Sequence, residues 1–216
     1  LRDIAIYGCG GFGREVLQIL HALNVQARQW NCLGFVVDPG ITHPETVHGL
    51  PVSDDIETLE RGARADVAVA IGNPSARRSI AERMGAMGCK FPTLVHPRAW
   101  IGDRVSLGEG VVICANACLT TDITVFPHVH VNLCATVGHD AKLGAYSTIS
   151  PGANISGKVT LGTGVEIGTG AALIQGVSVG DGSVIGAGAA VIRPIPPHST
   201  AVGVPAKIIK TSTDNS

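Results

Sequence analysis

The stretch Ile101-Gly-Asp-Arg-Val-Ser-Leu107-Gly-Glu-Gly-Val-Val112 returns, in the same pattern, as Leu161-Gly-Thr-Gly-Val-Glu-Ile167-Gly-Thr-Gly-Ala-Ala172. Stepping by six from Ile101 meets Leu107, Ile113, Leu119, Val125, Val131, Val137, Leu143, Ile149, Ile155, Leu161, Ile167, Leu173, Val179, Ile185 and Val191, sixteen aliphatic residues without a miss. Ile, Leu and Val make up roughly a quarter of the chain, so chance gives such a run with odds on the order of one in a billion. The place four residues after each is small or β-branched throughout, from Val105 and Val111 to Ala189 and Ile195.

A period of six fits neither an amphipathic helix nor one long alternating strand. It fits a solenoid in which each hexapeptide makes a short strand and a turn, with the large aliphatic residue inward and the small one at the corner. Three hexapeptides then close a triangular coil of eighteen residues, the left-handed parallel β-helix, and sixteen of them build a little over five coils. At roughly 4.8 Å per coil the prism is about 25 Å tall. Glycine at the second place, as in Gly102, Gly108, Gly138, Gly144, Gly162, Gly168, Gly180 and Gly186, is expected to serve turns with dihedrals that a Cβ disfavours. The period carries no insertion, so no long loop is expected to leave the coils. Pro194, Pro196 and Pro197 end the repeat, and residues 198–210 are expected to cap the prism, whose open edges and core need cover.

Outward from the repeat, the 216 residues leave room for a second, smaller domain. Residues 1–95 alternate strand and helix, so we expect an α/β, Rossmann-like domain there, the β-helix with its cap over 96–210, and a disordered tail over 211–216. Strands are predicted at Asp3–Tyr7, Leu33–Val37, Asp66–Ile71 and Phe91–Val95, and helices at Arg14–Leu23, Ser53–Arg61 and Pro74–Met87. A net charge of −1 gives no electrostatic footprint for nucleic acid or an acidic membrane. No stretch of eighteen or more apolar residues and no signal-peptide pattern is present, and a soluble, cytoplasmic protein without membrane insertion is expected. The six cysteines form no CxxC pair and are expected to be reduced and mostly buried.

Between the first strand and the first helix lies Gly8-Cys-Gly10-Gly-Phe-Gly13, a G-x-G-x-x-G turn. Its glycines admit a ligand to the backbone, and the helix start offers N–H groups to a phosphate. Asp38 ends the second strand about where a nucleotide site places its ribose-binding acid. The domain is too short for a two-lobed dinucleotide fold, which favours one nucleotide over NAD.

These features together resemble the bacterial sugar acyltransferases: the glycine turn, Ile71-Gly-Asn73 with Arg77, the His96-Pro97 junction, the hexapeptide repeat and Gly203-Val-Pro-Ala-Lys207. The likeness spans residues 3 to about 210, and the nearest group holds the UDP-4-amino-sugar and GDP-perosamine N-acetyltransferases and the sialic acid O-acetyltransferase-like proteins. It implies an acetyl-CoA-dependent N-acetyltransferase acting directly on a nucleotide-linked amino sugar, in bacterial surface glycan synthesis, as a homotrimer without a metal. His139 is then the general base, Asp140 the acid that orients it in place of the family's Glu, and Asn132 the accompanying amide. Gly10, Gly11, Phe12, Asp38 and Gly72 are implied as substrate-binding residues. Thr148, standing where a relative has a second His, and Gly157, Thr169, Ala187 and Lys207 are implied contacts of acetyl-CoA. His128 and His130 have no carboxylate at metal-ligand spacing, and His198 is assigned to the cap. Two alternatives are an O-acetyltransferase acting on sialic acid and a non-catalytic protein binding a sugar nucleotide or NAD; the latter leaves His139-Asp140 and the tail unexplained.

Overall fold

The computed structural model describes residues 1–58 and 64–212. The chain divides into two compact units, residues 1–97 and 98–216.

The first unit is built on a sheet of β1 (Arg2–Tyr7), β2 (Trp30–Val36), β3 (Thr46–Val47), β4 (Leu50–Ser53) and β5 (Asp66–Val69), in the order β3-β4-β2-β1-β5. β1 runs parallel to β2 and β5, and β2 parallel to β4, while β3 and β4 form a small antiparallel hairpin. Ile4, Ala5, Ile6, Phe35 and Val67 are fully buried at the centre of this sheet. Helix α1 (Gly11–Gln26) covers it with Val16, Leu17, Ile19 and Leu20, spaced to line one helical face. Each such side chain taken fully from water is worth about 1.5–3 kcal/mol. Asn24 fastens the turn that follows: its Nδ2 donates to Trp30 O (2.8 Å), and its Oδ1 accepts from Gln29 N and Trp30 N. Helix α2 (Pro74–Ala86) starts on Asn73, whose Oδ1 accepts from Ala76 N at 2.9 Å.

Several expected elements differ. The helix expected at Ser53–Arg61 is a 3-10 turn at Ile56–Thr58, and residues 59–61 of it lie outside the described residues. The stretch Phe91–Val95 supplies only the short strand β6 (Leu94–Val95), which does not join the β1–β5 sheet. Phe91-Pro92 explains the shortfall, because proline has no N–H for a ladder.

The second unit is the β-helix. A two-residue strand ends on every sixth residue from Ile101 to Val191, and those up to Leu173 pair in parallel with the strand eighteen residues on, as in Thr136↔Asn154, Lys142↔Thr160 and Thr148↔Glu166. From Ile113 to Val191 the sixth-place residues are all buried, as are the fourth-following ones from Val111 to Ile195; Ile101, Val105 and Leu107 are half-buried.

The turns correct one expectation. The left-handed conformation recurs not at the second place but at the fourth, at residues 104, 110, 116 and so on by sixes to 188, with φ near 60°. Second-place glycines keep ordinary φ and are needed for stacking. A Cβ on Gly102 would lie 1.8 Å from Thr120 O, and one on Gly144 2.2 Å from Gly162 O. At these glycines the backbone of the next coil fills the space a Cβ would take, whereas Thr120, Phe126, Asn132 and Ile174 hold the second place in other turns.

After Val191 the register tightens, Ile185 pairing with Ala201, sixteen residues on. The cap is a hairpin: Ser199–Val202 adds to the parallel ladder, and Lys207–Thr211 pairs with it antiparallel. Thr211, expected in the disordered tail, thus ends a strand, and residues 213–216 lie outside the described residues. The cysteines are all free, but only Cys89 and Cys114 are buried; Cys9, Cys32 and Cys118 are half-buried and Cys134 is exposed. Cys134 occupies a fourth-place turn (φ 57°), which faces outward. No helix of the described residues is long and apolar enough to cross a membrane.

Candidate active site

His139 stands third in its hexapeptide, in the turn between the strands Thr136–Val137 and Lys142–Leu143. Its Nδ1 lies 2.8 Å from Asp140 Oδ2, with the two side chains 48% and 51% exposed. Asp140 takes a fourth-place turn with φ 61°, a conformation that Asp tolerates better than most residues. With Nδ1–H donating to the carboxylate, Nε2 keeps its lone pair. That edge of the ring rests on the next coil. A Cβ added to Gly157, eighteen residues on, would lie 2.5 Å from His139 Nε2, and the main chain ties the two turns through Lys158 N donating to His139 O at 2.7 Å. The corner therefore offers an imidazole base, backed by a carboxylate, over a buried glycine.

The other residues implied for the solenoid fall elsewhere. Asn132, Thr169 and Ala187 lie along the next corner, across the face formed by the strands at 136–137, 154–155 and 172–173. Asn132 is buried; its Nδ2 donates to Ile149 O at 3.2 Å, and Cys114 Sγ lies 3.9 Å from its Oδ1. Those bonds tie neighbouring coils, so within one chain Asn132 does not join His139. Thr169 and Ala187 stand one coil apart, Gly188 N donating to Thr169 O. Thr148 sits on a third face, paired with His130, and Lys207 opens the final strand, exposed. His130 and His128 are buried, the latter stacked on Tyr146 with ring centroids 5.1 Å apart. His198 precedes the cap hairpin, its N–H on Asp181 O. Among the described residues no three His, Cys, Asp or Glu side chains gather to hold a metal ion.

In the first unit, β1, β2 and β5 end side by side; the loops that follow them carry Gly10, Asp38 and Gly72, and Gly11 and Phe12 open α1. This is the carboxyl edge of a parallel sheet, at the point where strand order reverses about β1, the usual ligand crevice of such folds. Gly8 (φ 107°) and Gly13 are demanded by the chain itself: a Cβ on Gly13 would lie 1.8 Å from Gly8 O. Gly10 and Gly11 face open space, and α1 begins with no side-chain cap, at the helix end whose dipole favours an anion. The Gly72 loop is held from below by Arg77, fully buried, whose Nη1 donates to Ile71 O (2.6 Å) and Gly72 O (3.0 Å).

Asp38 has two partners that sequence reasoning missed. Tyr7 Oη donates to Asp38 Oδ1 at 2.8 Å, and Arg83 Nη2 reaches the same oxygen at 2.5 Å while also contacting the Tyr7 hydroxyl. The Tyr7 hydrogen bond, followed by Arg83, holds the Asp38 carboxyl below its usual range. Burial, then Asp38, pushes the Tyr7 phenol up to about 12. A cavity of about 230 Å³ opens beside the trio, among Val36, Pro39, Ile56, Met84 and Met87, with Asp54 and Asp55 also in its wall. Its mostly apolar lining suits a flat ring.

Comparison with known proteins gives consistent matches. Residues 3–84 match the family model described as the PglD N-terminal domain. GDP-perosamine N-acetyltransferase of Escherichia coli O157:H7 is 32% identical over 162 residues, 72% of this chain and 71% of that protein. Among solved structures, PerB from Caulobacter crescentus in complex with CoA and GDP-perosamine superposes with a TM-score of 0.87 at 30% identity, over 97% of this chain and 98% of the other. The acetyltransferase domain of PglB from Neisseria gonorrhoeae FA1090, in complex with acetyl coenzyme A, gives 0.84 at 35% identity, over 96% and 99%.

Proposed function

Because the chain belongs to the family of hexapeptide-repeat sugar N-acetyltransferases typified by GDP-perosamine N-acetyltransferase, we propose that it moves the acetyl group of acetyl-CoA to the amine of a nucleotide-linked 4-amino sugar, with His139 as general base. The nucleotide is proposed to lie along Gly10, Gly11, Phe12, Asp38 and Gly72. The pyrophosphate faces the uncapped start of α1 and the base the apolar cavity. The amine nitrogen attacks the thioester carbonyl carbon, His139 Nε2 takes the amine proton, and as the C–S bond breaks that proton passes to the departing sulfur to give the CoA thiol. A backbone N–H offsets the charge that gathers on the carbonyl oxygen. Asp140 fixes the tautomer and offsets the charge of the imidazolium that forms. We further propose that acetyl-CoA lies in a groove between copies of a homotrimer, along Thr148, Gly157, Thr169, Ala187 and Lys207. The reaction is placed in the cytoplasm, where acetyl-CoA is available, in surface glycan synthesis.

The observation that carries this reading is the His139–Asp140 pair, 2.8 Å apart on an exposed coil corner with Nε2 aimed away from the carboxylate. Its test is turnover of acetyl-CoA with UDP-, GDP- and CMP-linked amino sugars, read by mass spectrometry. The product acetyl group is expected to resist hydroxylamine, as an amide does; a labile one would mean an ester and an O-acetyltransferase. His139→Ala should lower kcat by roughly 10²–10⁴ with little change in either KM, because the imidazole acts on the proton in flight and hardly on ground-state binding. Near-full turnover by that variant would place the base elsewhere.

A further inference from the structure

Below the His139–Asp140 pair the same corner carries a ladder of charge. Arg104, Asp122, Asp140 and Lys158 stand at eighteen-residue intervals, all in the left-handed turn conformation, with φ of 57°, 56°, 61° and 60°. Stacked coils place each about 4.8 Å from the next along the prism. Arg104 grips Asp122 with both arms of its fork, Nε to Oδ1 at 2.5 Å and Nη2 to Oδ2 at 2.9 Å. Thr121 Oγ1 lies 3.1 Å from Asp122 Oδ2 and 2.9 Å from Asp103 O. The carbonyl of Thr121 in turn accepts the N–H of Asp140 at 3.2 Å. The turn that carries Asp140 thus rests on a turn clamped by the Arg104–Asp122 pair.

The arrangement poses an electrostatic problem and answers it. Two carboxylates one coil apart raise the cost of ionising both. Arg104 sits on the far side of Asp122 and cancels its charge. The Asp122 carboxyl is held below its usual range, first by the Arg104 hydrogen bond, and His139 also contributes to the field it feels.

We propose that Arg104, acting through Asp122, is a positioning residue for this reaction: it holds the turn under Asp140 and offsets the charge of the second carboxylate beside His139. The inference rests on His139 being the base. The charged and titratable groups around His139 are Asp140 on its own turn, Lys142 on the strand that follows, Asp122, Asp103 and Arg104 on the preceding turns, and Lys158 on the next. Only Arg104 and Asp122 change in the test.

The experiment is the pH profile of kcat/KM at low ionic strength for four proteins beside the wild type: Arg104→Gln, Asp122→Asn, the double variant and Arg104→Lys. Arg104→Gln leaves Asp122 uncompensated, so the imidazole holds its proton to higher pH and the acid limb moves up. Asp122→Asn leaves Arg104 uncompensated, and the limb moves down. Each shift is expected to be about 0.3–0.5 pH unit, the size of one screened charge within 10 Å, and to shrink in 0.5 M salt. The double variant and Arg104→Lys should return the limb close to the wild-type position. A purely structural role would lower activity in every variant without moving the limb in opposite directions, and that result overturns the proposal. His139→Ala run alongside separates the two claims. Full turnover without the imidazole removes His139 as the base and the inference with it, whereas lost turnover with an unmoved limb in the other variants overturns the role of Arg104 alone.

Discussion

At the scale of single residues, the sharpest feature is the bare Cα of Gly157 beneath the His139 ring. An added Cβ would meet Nε2 at 2.5 Å and Cε1 at 2.7 Å, and the atoms it meets are the far end of a side chain free to swing away. Gly157→Ala should therefore cost little stability and instead displace the imidazole from Asp140. A misplacement near 1 Å lowers turnover by roughly a hundredfold, so kcat should fall by that order while the thermal midpoint stays within about 2 °C. A raised KM for acetyl-CoA at unchanged kcat would instead mark Gly157 as a cofactor contact without a part in holding the base. The pairing of His139 with Asp140 was open to sequence reasoning because the two are adjacent, and Gly157 follows from the coil length by adding eighteen. The trio of Tyr7, Asp38 and Arg83 was not, because its members are 31 and 45 residues apart and no period links them. The place of Asn132 was not legible either: it stands on the corner across the face from His139, with its amide bonded to the coil beside it.

Among the elements, the coil was legible and its stereochemistry was not. Sixteen aliphatic steps announce a strand every six residues, because each strand needs one inward anchor. Which turn position is left-handed leaves a weaker trace, since Arg104, Asp122, His128, Cys134, Tyr146 and Lys158 occupy it beside the glycines. The glycines at the second place answer to a different demand, contact between coils, and the two demands separate by mutation. In Gly144→Ala the new Cβ would lie 2.2 Å from Gly162 O and 2.3 Å from Gly162 C; backbone must move, at a cost of about 1–3 kcal/mol. Gly170→Ala meets nothing within 4 Å and keeps only the strain of φ 67°, about 1 kcal/mol. Thermal unfolding should rank them wild type, then Gly170→Ala, then Gly144→Ala, with Gly170→Asn closer to wild type. Equal midpoints for the two alanine variants would mean that the coils give way more readily than their spacing implies. The cap was legible as a need, since a prism end must be covered, but not as the hairpin that meets it. Prolines at 194, 196 and 197 mark where the period ends without specifying the sixteen-residue closing step.

At the scale of the molecule, the residues implied for acetyl-CoA and catalysis spread around the prism, with His139, Asp140 and Gly157 on one corner, Asn132, Thr169 and Ala187 on the next, Thr148 on a third face and Lys207 in the cap. A prism presents its corners outward and apart. In the proposed trimer, one copy's His139 corner faces a neighbour's Ala187 corner, and the groove between them holds the thioester. The exposed apolar side chains Leu133, Ile174 and Ile192 on these same corners are consistent with surfaces that gain from burial. Light scattering is expected to give three times the chain mass. Subunit mixing tests the assignment of walls more severely. His139→Ala removes the base, and Ala187→Trp fills the groove from an exposed position that leaves the core untouched, so each variant alone should be nearly inactive. If a site takes one wall from each of two copies, random mixed trimers restore it wherever an intact His139 faces an intact Ala187, at about one site in four. If both walls came from one chain, every site in every mixture would carry one lesion, and mixing would restore nothing. Recovery of about a quarter of wild-type turnover on co-refolding supports the shared groove; no recovery, or a monomer retaining full turnover, sinks it.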